Sequence, residues 1–141
     1  MKKTLNSTIA AILSLVFVIC LVSCNTTEAT GLWESAVYTS DTELGTGTKV
    51  VQVEVKAEDR AVTFTINTDK ETLGEALLEH ELVSGEMGDF GLYIKVVNGI
   101  TADYDIDQSY WSFLQNGEYM MTGVDGTDIF GGEHYELVYT K

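Results

Sequence analysis

The sequence predicts an α+β fold, with one helix packed on a mixed sheet built from hairpins. Three observations lead there. Residues 49–56 (KVVQVEVK) and 61–67 (AVTFTIN) alternate apolar and polar side chains, the period of half-buried strands. A stripe at helical spacing follows, made of Leu73, Ala76, Leu77, Leu78 and Leu82. Asn98-Gly99 and Asn116-Gly117 then lie between apolar runs, and Asn-Gly is the strongest short-range signal for a two-residue hairpin turn. Strand, strand, helix and then several strands is the order of an α+β domain, and 141 residues suffice for one.

Residues 1–23 precede that domain. Lys2 and Lys3 form a basic start, and residues 9–22 are apolar except for Ser14, which is the pattern of a secretory signal peptide. It ends in Leu21-Val22-Ser23-Cys24, which resembles the bacterial lipobox. That resemblance implies cleavage before Cys24, diacylation of its sulfur, and an outward-facing lipoprotein held on the cell membrane. An ordinary signal peptide with a chance cysteine is the alternative. Cys20 falls in the discarded segment, so the mature chain keeps no cysteine pair for a disulfide or a thiolate metal site.

Residues 24–47 read as the lipidated cysteine and a tether, rich in Thr, Ser, Gly and acidic residues; the domain is expected over 48–141. Trp33 and Tyr38 do not suit a linker. They either cap the domain edge or belong to a strand added to the sheet. Beyond the tether, Val51, Val53 and Val55 share one face of the first strand, and Val62, Phe64 and Ile66 one face of the second, with residues 57–60 as the turn. Thr68 and Glu71 fit a capping box, and Ser84-Gly85 a left-handed helix end, which predicts about three and a half turns between them. Residues 91–97 and 100–104 form the second hairpin. The third is 110–123 (YWSFLQNGEYMMTG), in which Leu114 faces Tyr119, Phe113 faces Met120 and Ser112 faces Met121. Residues 133–140 are the last strand, with Tyr135, Leu137 and Tyr139 on one face.

The third hairpin is apolar on both faces: Trp111, Phe113 and Met120 share one, Tyr110, Leu114, Tyr119 and Met121 the other. One face is core and the other needs a cover, which can be a helix, a partner or a ligand. Tyr110, Trp111, Tyr119, Met120 and Met121 are therefore the candidate ligand-binding residues. Trp111 is expected to be buried; Tyr119, Met120 and Met121 are expected to meet the ligand.

Charge narrows the partners. The chain has 8 basic and 22 acidic residues; without Lys2 and Lys3 the net charge is −16. That surface repels phosphates, so nucleic acid is excluded and the lipid on Cys24 is the one membrane contact. Asp103, Asp105 and Asp107 are the candidate metal ligands, although Gln108 and Leu114 stand where an EF-hand needs Gly and Glu. The other reading of the three is a solvated acidic loop. His80 and His134 would make a zinc site only if the helix end met the last strand. No nucleophile with an adjacent base is evident, so no catalytic residue is assigned and the protein is not expected to be an enzyme.

Residues 72–141 resemble the C-terminal β-domain of the vitamin B12 carriers transcobalamin and intrinsic factor, and the bacterial lipoproteins that carry this domain. The matching pieces are Thr72-Leu73-Gly74-Glu75-Ala76-Leu77, Gly91-Leu92-Tyr93-Ile94 with Val97-Asn98-Gly99-Ile100, Tyr110-Trp111-Ser112-Phe113-Leu114, Gly123-Val124, and Gly132-Glu133-His134-Tyr135-Glu136-Leu137. The resemblance implies a small β-grasp-like domain, no catalysis, and cobalamin as a possible ligand. In those carriers a larger helical domain supplies the other half of the corrin site, so the resemblance implies half a site that a partner completes. The expected function is a membrane-anchored extracellular binding module for cobalamin or another small ligand. The alternatives are an adhesion or assembly module that binds a cell-surface protein, and a divalent-metal-binding lipoprotein.

Overall fold

The computed structural model describes residues 30–141. The signal peptide, Cys24 and the start of the tether lie outside them. A 3-10 turn (Gly31–Ser35) leads to β1 (Thr42–Gly45), β2 (Lys49–Ala57), β3 (Arg60–Thr68) and the helix α1 (Leu73–Glu79). Then come β4 (Val83–Gly88), β5 (Gly91–Val97), β6 (Ile100–Thr101) and a one-turn helix α2 (Tyr104–Asp107). β7 (Tyr110–Gln115), β8 (Glu118–Tyr119), a second 3-10 turn (Val124–Gly126) and β9 (His134–Thr140) complete the order. The molecule is α+β, mostly strand, with one main helix.

The strands form two sheets. The larger runs β1-β3-β2-β9-β7-β8 and the smaller β4-β5-β6. β1 is parallel to β3 and β2 is parallel to β9; the other pairs are antiparallel. The first hairpin forms as its alternation predicts. Val51, Val53, Val55, Val62, Phe64 and Ile66 all point into the core with Tyr135 and Leu137 of β9. The opposite face of β2, β3 and β9 carries Gln52, Glu54, Thr63, Thr65, His134 and Glu136, as expected for a sheet face turned to water.

The second hairpin is not part of the main sheet. β5 pairs instead with β4, a strand the sequence reading did not anticipate. Residues 83–88 were expected to hold the helix end and its glycine stop. The helix starts later and stops earlier. Thr68 is still in β3, opposite Lys49, so it caps no helix. Thr72 is the N-cap: its hydroxyl accepts the Glu75 N–H at 3.3 Å, and Glu75 returns a carboxylate to the Thr72 N–H at 3.2 Å. The helix ends at Glu79, and Glu81 takes the left-handed conformation at φ 53°. Gly85 sits at a bulge in β4 where the Tyr93 carbonyl leaves no room for a Cβ. It is a close-approach glycine rather than a helix stop. β6 is also shorter than expected, because Asp103 caps α2 directly after it.

The domain begins before residue 48. Trp33, expected to lie in the tether, is fully buried. Its Nε1–H donates to Ala57 O at 2.9 Å, and the Arg60 guanidinium stacks 4.8 Å from its ring centre. Tyr38 packs edge-on against Phe64. The buried Asn98 side chain holds the Tyr38 backbone from both ends, donating to its carbonyl at 2.8 Å and accepting its N–H at 2.9 Å. β1 then extends the sheet beside β3. Trp33 and Tyr38 cap the domain edge and lie in no strand; the added strand, β1, begins only at Thr42. Among the described residues, the core runs from Leu32 to Tyr139.

Replacing Trp33 by alanine removes a buried indole and its hydrogen bond, and should destabilise the domain by about 3–5 kcal/mol. Urea unfolding followed by far-UV circular dichroism measures it. A loss below about 1 kcal/mol, the size of a surface substitution, would mean that residues 31–47 are a tether after all.

Candidate functional site

The β7–β8 hairpin turns at Asn116-Gly117, with φ 51° and 82° at the two positions. Leu114 pairs with Tyr119, and the Met120 N–H donates to Phe113 O at 3.0 Å, as the register predicts. The hairpin stops there. The expected pair of Ser112 with Met121 does not form. Ser112 is opposite Val138 of β9, and its hydroxyl lies 2.8 Å from that of Thr140. The chain leaves the sheet after Met120 because Val124, four residues on, is buried in the core.

The five candidate ligand residues divide between the two faces of the sheet. Trp111 and Met120 are on the inner side. Trp111 is 8 % exposed and packs edge-on against Tyr139. Its Nε1–H is buried without an acceptor. Met120 is half-buried opposite Phe113, whose ring meets the Tyr135 ring at 5.7 Å. Tyr110 and Tyr119 are on the outer side; Tyr110 packs edge-on against Tyr104, and Tyr119 is 72 % exposed. Met121 is 98 % exposed, beyond the last strand pair. The inner side is incompletely closed: β5 packs beside β7, and Leu92, Ile94 and Phe113 touch the core while staying half-buried.

Asp125 fixes the geometry of this rim. Its Oδ2 accepts the Leu92 N–H at 3.2 Å. Gly91 (φ 100°) lies so close to the same carboxylate that a Cβ there would collide with it, and a Cβ on Gly123 would come within 2.9 Å of Oδ1. The β4–β5 turn and the segment after Met121 therefore close on one side chain. Phe90, fully exposed beside Gly91, and Met121, two residues before Gly123, come to the same rim. Met87, opposite Leu92 near the end of β4, is also bare. Sequence reasoning missed Met87 and Phe90, although Gly88-Asp89-Phe90-Gly91 between apolar runs is itself a turn signal.

The candidate metal residues have local work. Asp103 Oδ1 accepts the Asp105 N–H at 3.0 Å as the cap of α2. Asp107 accepts both the N–H and the hydroxyl of Ser109 and meets Lys141 Nζ at 2.9 Å. His80 lines a polar cleft of about 400 Å³ with Asp69, Lys70 and Glu79. His134 lines a different one of about 450 Å³, with Glu43, Gln52 and Thr65 on the outer sheet face. The helix end and the last strand do not bring the two together. Among the described residues, no three His, Cys, Asp or Glu side chains converge as metal ligands would.

The Ser109 hydroxyl, the Lys141 ammonium and the Ser109 N–H hold the Asp107 carboxyl at about 2, below the ordinary carboxylate range. A lowered value in the folded state means that ionised Asp107 favours folding. Its contribution is complete above about pH 4, the unfolded value, and is lost as pH falls from there to about 2. The Asp107 carboxyl carbon should titrate by NMR near pH 2, and Lys141→Ala should move that midpoint upward. A midpoint already near pH 4 would mean these contacts are not made.

Compared with known proteins, residues 70–140 match the family model described as "Domain of unknown function (DUF4430)". No curated protein matches the chain. Among solved structures, a proposed metal-binding protein from Ruminococcus gnavus ATCC 29149 is 35 % identical, with a TM-score of 0.63 over 67 % of this chain and 98 % of that one. Haptocorrin in complex with Cbi is 20 % identical, with a TM-score of 0.50 over 70 % of this chain and 26 % of that one. At that identity the haptocorrin likeness is one of fold, and it agrees with the transcobalamin-type domain anticipated from the sequence. The family match covers half the chain, from the N-cap of α1 through β9, and the R. gnavus relative matches over nearly its whole length: the chain belongs to the DUF4430 family.

Proposed function

We propose that this chain is a membrane-tethered, extracellular, non-enzymatic binding module, and that its ligand covers the rim where the β7–β8 hairpin meets the β4–β5 turn. One observation carries the reading. Met121, Phe90 and Met87 stand bare beside strands whose Leu92, Ile94 and Phe113 are only half-buried, and Trp111, on the same face of β7 as Phe113, has a buried N–H without a partner among the described residues. Bare apolar side chains gathered at one rim mark a surface that something covers. A ligand with a broad apolar face and hydrogen-bond acceptors at its edge suits that surface. Cobalamin is the first candidate, because the haptocorrin likeness adds to the resemblance noted from the sequence. The order hairpin, helix, then strands around a parallel central pair also supports the β-grasp-like description. The rim offers one wall, so a partner would supply the other.

The R. gnavus relative favours a second reading, binding of a divalent cation. The polar clefts at His80 and His134 are where this chain would hold one, each with fewer than three converging ligands among the described residues. Titrating residues 30–141 with cobalamin, Ca²⁺ and Zn²⁺, each followed by thermal shift, separates the readings. Cobalamin alone should raise the melting temperature. Phe90→Ala with Met121→Ala, both bare at the rim, should abolish that shift and leave the ligand-free melting temperature within about 4 °C, less than a 1 kcal/mol change gives a domain of this size. A shift with Zn²⁺ or Ca²⁺ and none with cobalamin would replace the first reading with the second.

The tether rests on the lipobox-like Leu21-Val22-Ser23-Cys24. Two acyl chains, at about 0.8 kcal/mol per buried CH₂, anchor stably where one binds marginally. Cys24→Ser should move the protein from the membrane fraction to the soluble one. If the variant still pellets with membranes after its signal is cleaved, the lipid anchor is wrong.

A further inference from the structure

β4 is an uncovered sheet edge. It pairs with β5 on one side and, among the described residues, with no strand on the other, and Ser84 through Gly88 are exposed on both faces. In an antiparallel pair every second residue turns its N–H and C=O away from its neighbour, so this edge presents unmatched donors and acceptors. Natural edges are usually defended by lysine, proline or a covering loop. This strand has no lysine or proline; its defences are Glu86 and the bulge at Ser84/Gly85, at one end. The stretch from Glu86 to Phe90 is left open and carries the bare Met87 and Phe90.

The charge around the edge selects its partner. Between Lys70 and Lys95 there are six acidic residues and no Lys or Arg. Glu86 meets Lys95 at 3.2 Å and Glu79 meets Lys70 at 3.6 Å. Among the described residues Glu81 and Asp89, at the two ends of β4, have no ion-pair partner. A second copy of this acidic chain is repelled there. An extended segment with basic side chains is attracted, and its apolar side chains would meet Met87 and Phe90.

We propose that β4 is a strand-addition site for an extended, cationic and partly apolar segment of a partner protein. Main-chain hydrogen bonds to the free edge supply the affinity, and the acidic ends of the strand supply the choice of partner. The site shares Met87 and Phe90 with the ligand rim proposed above and adds to them the backbone edge of β4.

The test uses a fluorescein-labelled seven-residue peptide of alternating lysine and valine, and a twin N-methylated on alternate amides. The twin keeps every side chain and charge but cannot pair along an edge. Fluorescence anisotropy against the full chain in neutral detergent should show saturable binding by the first peptide. The twin should bind at least about tenfold more weakly, since backbone pairing carries the affinity in this mode. Hydrogen exchange of Ser84 through Gly88 should slow on binding. Glu81→Lys with Glu86→Lys, both outside the β4–β5 turn, should weaken the peptide by a similar factor and leave any cobalamin response intact, so failure here is distinct from failure of the ligand rim. No binding at about millimolar peptide, equal binding by the twin, or unchanged exchange in β4 would each overturn the proposal.

Discussion

The parallel pairing of β2 with β9 is the constraint on which the rest of the molecule depends. It joins the N-terminal half of the main sheet, β1-β3-β2, to the C-terminal half, β9-β7-β8, and no other strand pair does so. A parallel pair cannot be closed by a tight turn, so a crossover is required. The chain between β3 and β9 supplies it with α1, the small sheet and the third hairpin. Lys56 and Glu136 meet across the joint at 2.7 Å, and the same carboxylate accepts the Gly117 N–H at 2.8 Å. One side chain thus registers β2, β9 and the β7–β8 turn. The hydrogen bond between them raises the Lys56 value and lowers that of Glu136. The pair is partly solvated, so its role is register more than stability. A joint between residues 80 apart in sequence also closes late in folding.

Features with a local physical cause were legible in the sequence. The β2–β3 hairpin was readable because alternation at period two has one meaning when a valine stands at every second place. The two Asn-Gly turns were readable because positive φ at successive positions admits few other residues. The burial of Trp111 followed from its place on β7. What escaped was non-local. Thr68 and Thr72 both precede an acidic residue by three, and only the pairing of Thr68 with Lys49 decides between them. Ser84-Gly85 has the composition of a helix stop, yet Gly85 is required by the approach of the Tyr93 backbone, which no local pattern announces. Residues 31–47 have the composition of a tether. Trp33 and Tyr38 draw them into the fold through contacts with Ala57, Arg60 and Asn98, all distant in sequence.

The candidate site divides in the same way. Bare Tyr119 and Met121 follow from a hairpin that runs out of partners. The rim itself does not, because it exists only where Asp125 draws the β4–β5 turn against the loop after Met121. Asp125 sits in a stretch whose composition says only loop. The acidic triplet at Asp103, Asp105 and Asp107 was open to two readings, a cation site and a solvated loop, and the fold uses two of the carboxylates to cap α2 and to hold Ser109 and Lys141.

The two tryptophans show where structure ends and function begins in this fold. Trp33 is enclosed and satisfied: its N–H has the Ala57 carbonyl, its face has Arg60, and its removal is a question of stability alone. Trp111 is almost as deeply buried, but its N–H has no acceptor. An unpaired buried donor costs about 1–3 kcal/mol, and a leucine or phenylalanine there would pack without it. Beside Trp111 the wall is half-open, formed by Leu92, Ile94 and Phe113, and beyond that wall Phe90 and Met121 stand bare. Among the described residues that donor has no partner, and a bound acceptor would pair it. On the proposed reading, an acceptor on the ligand would meet the Trp111 N–H, and the core packed around Trp33 holds that wall in place.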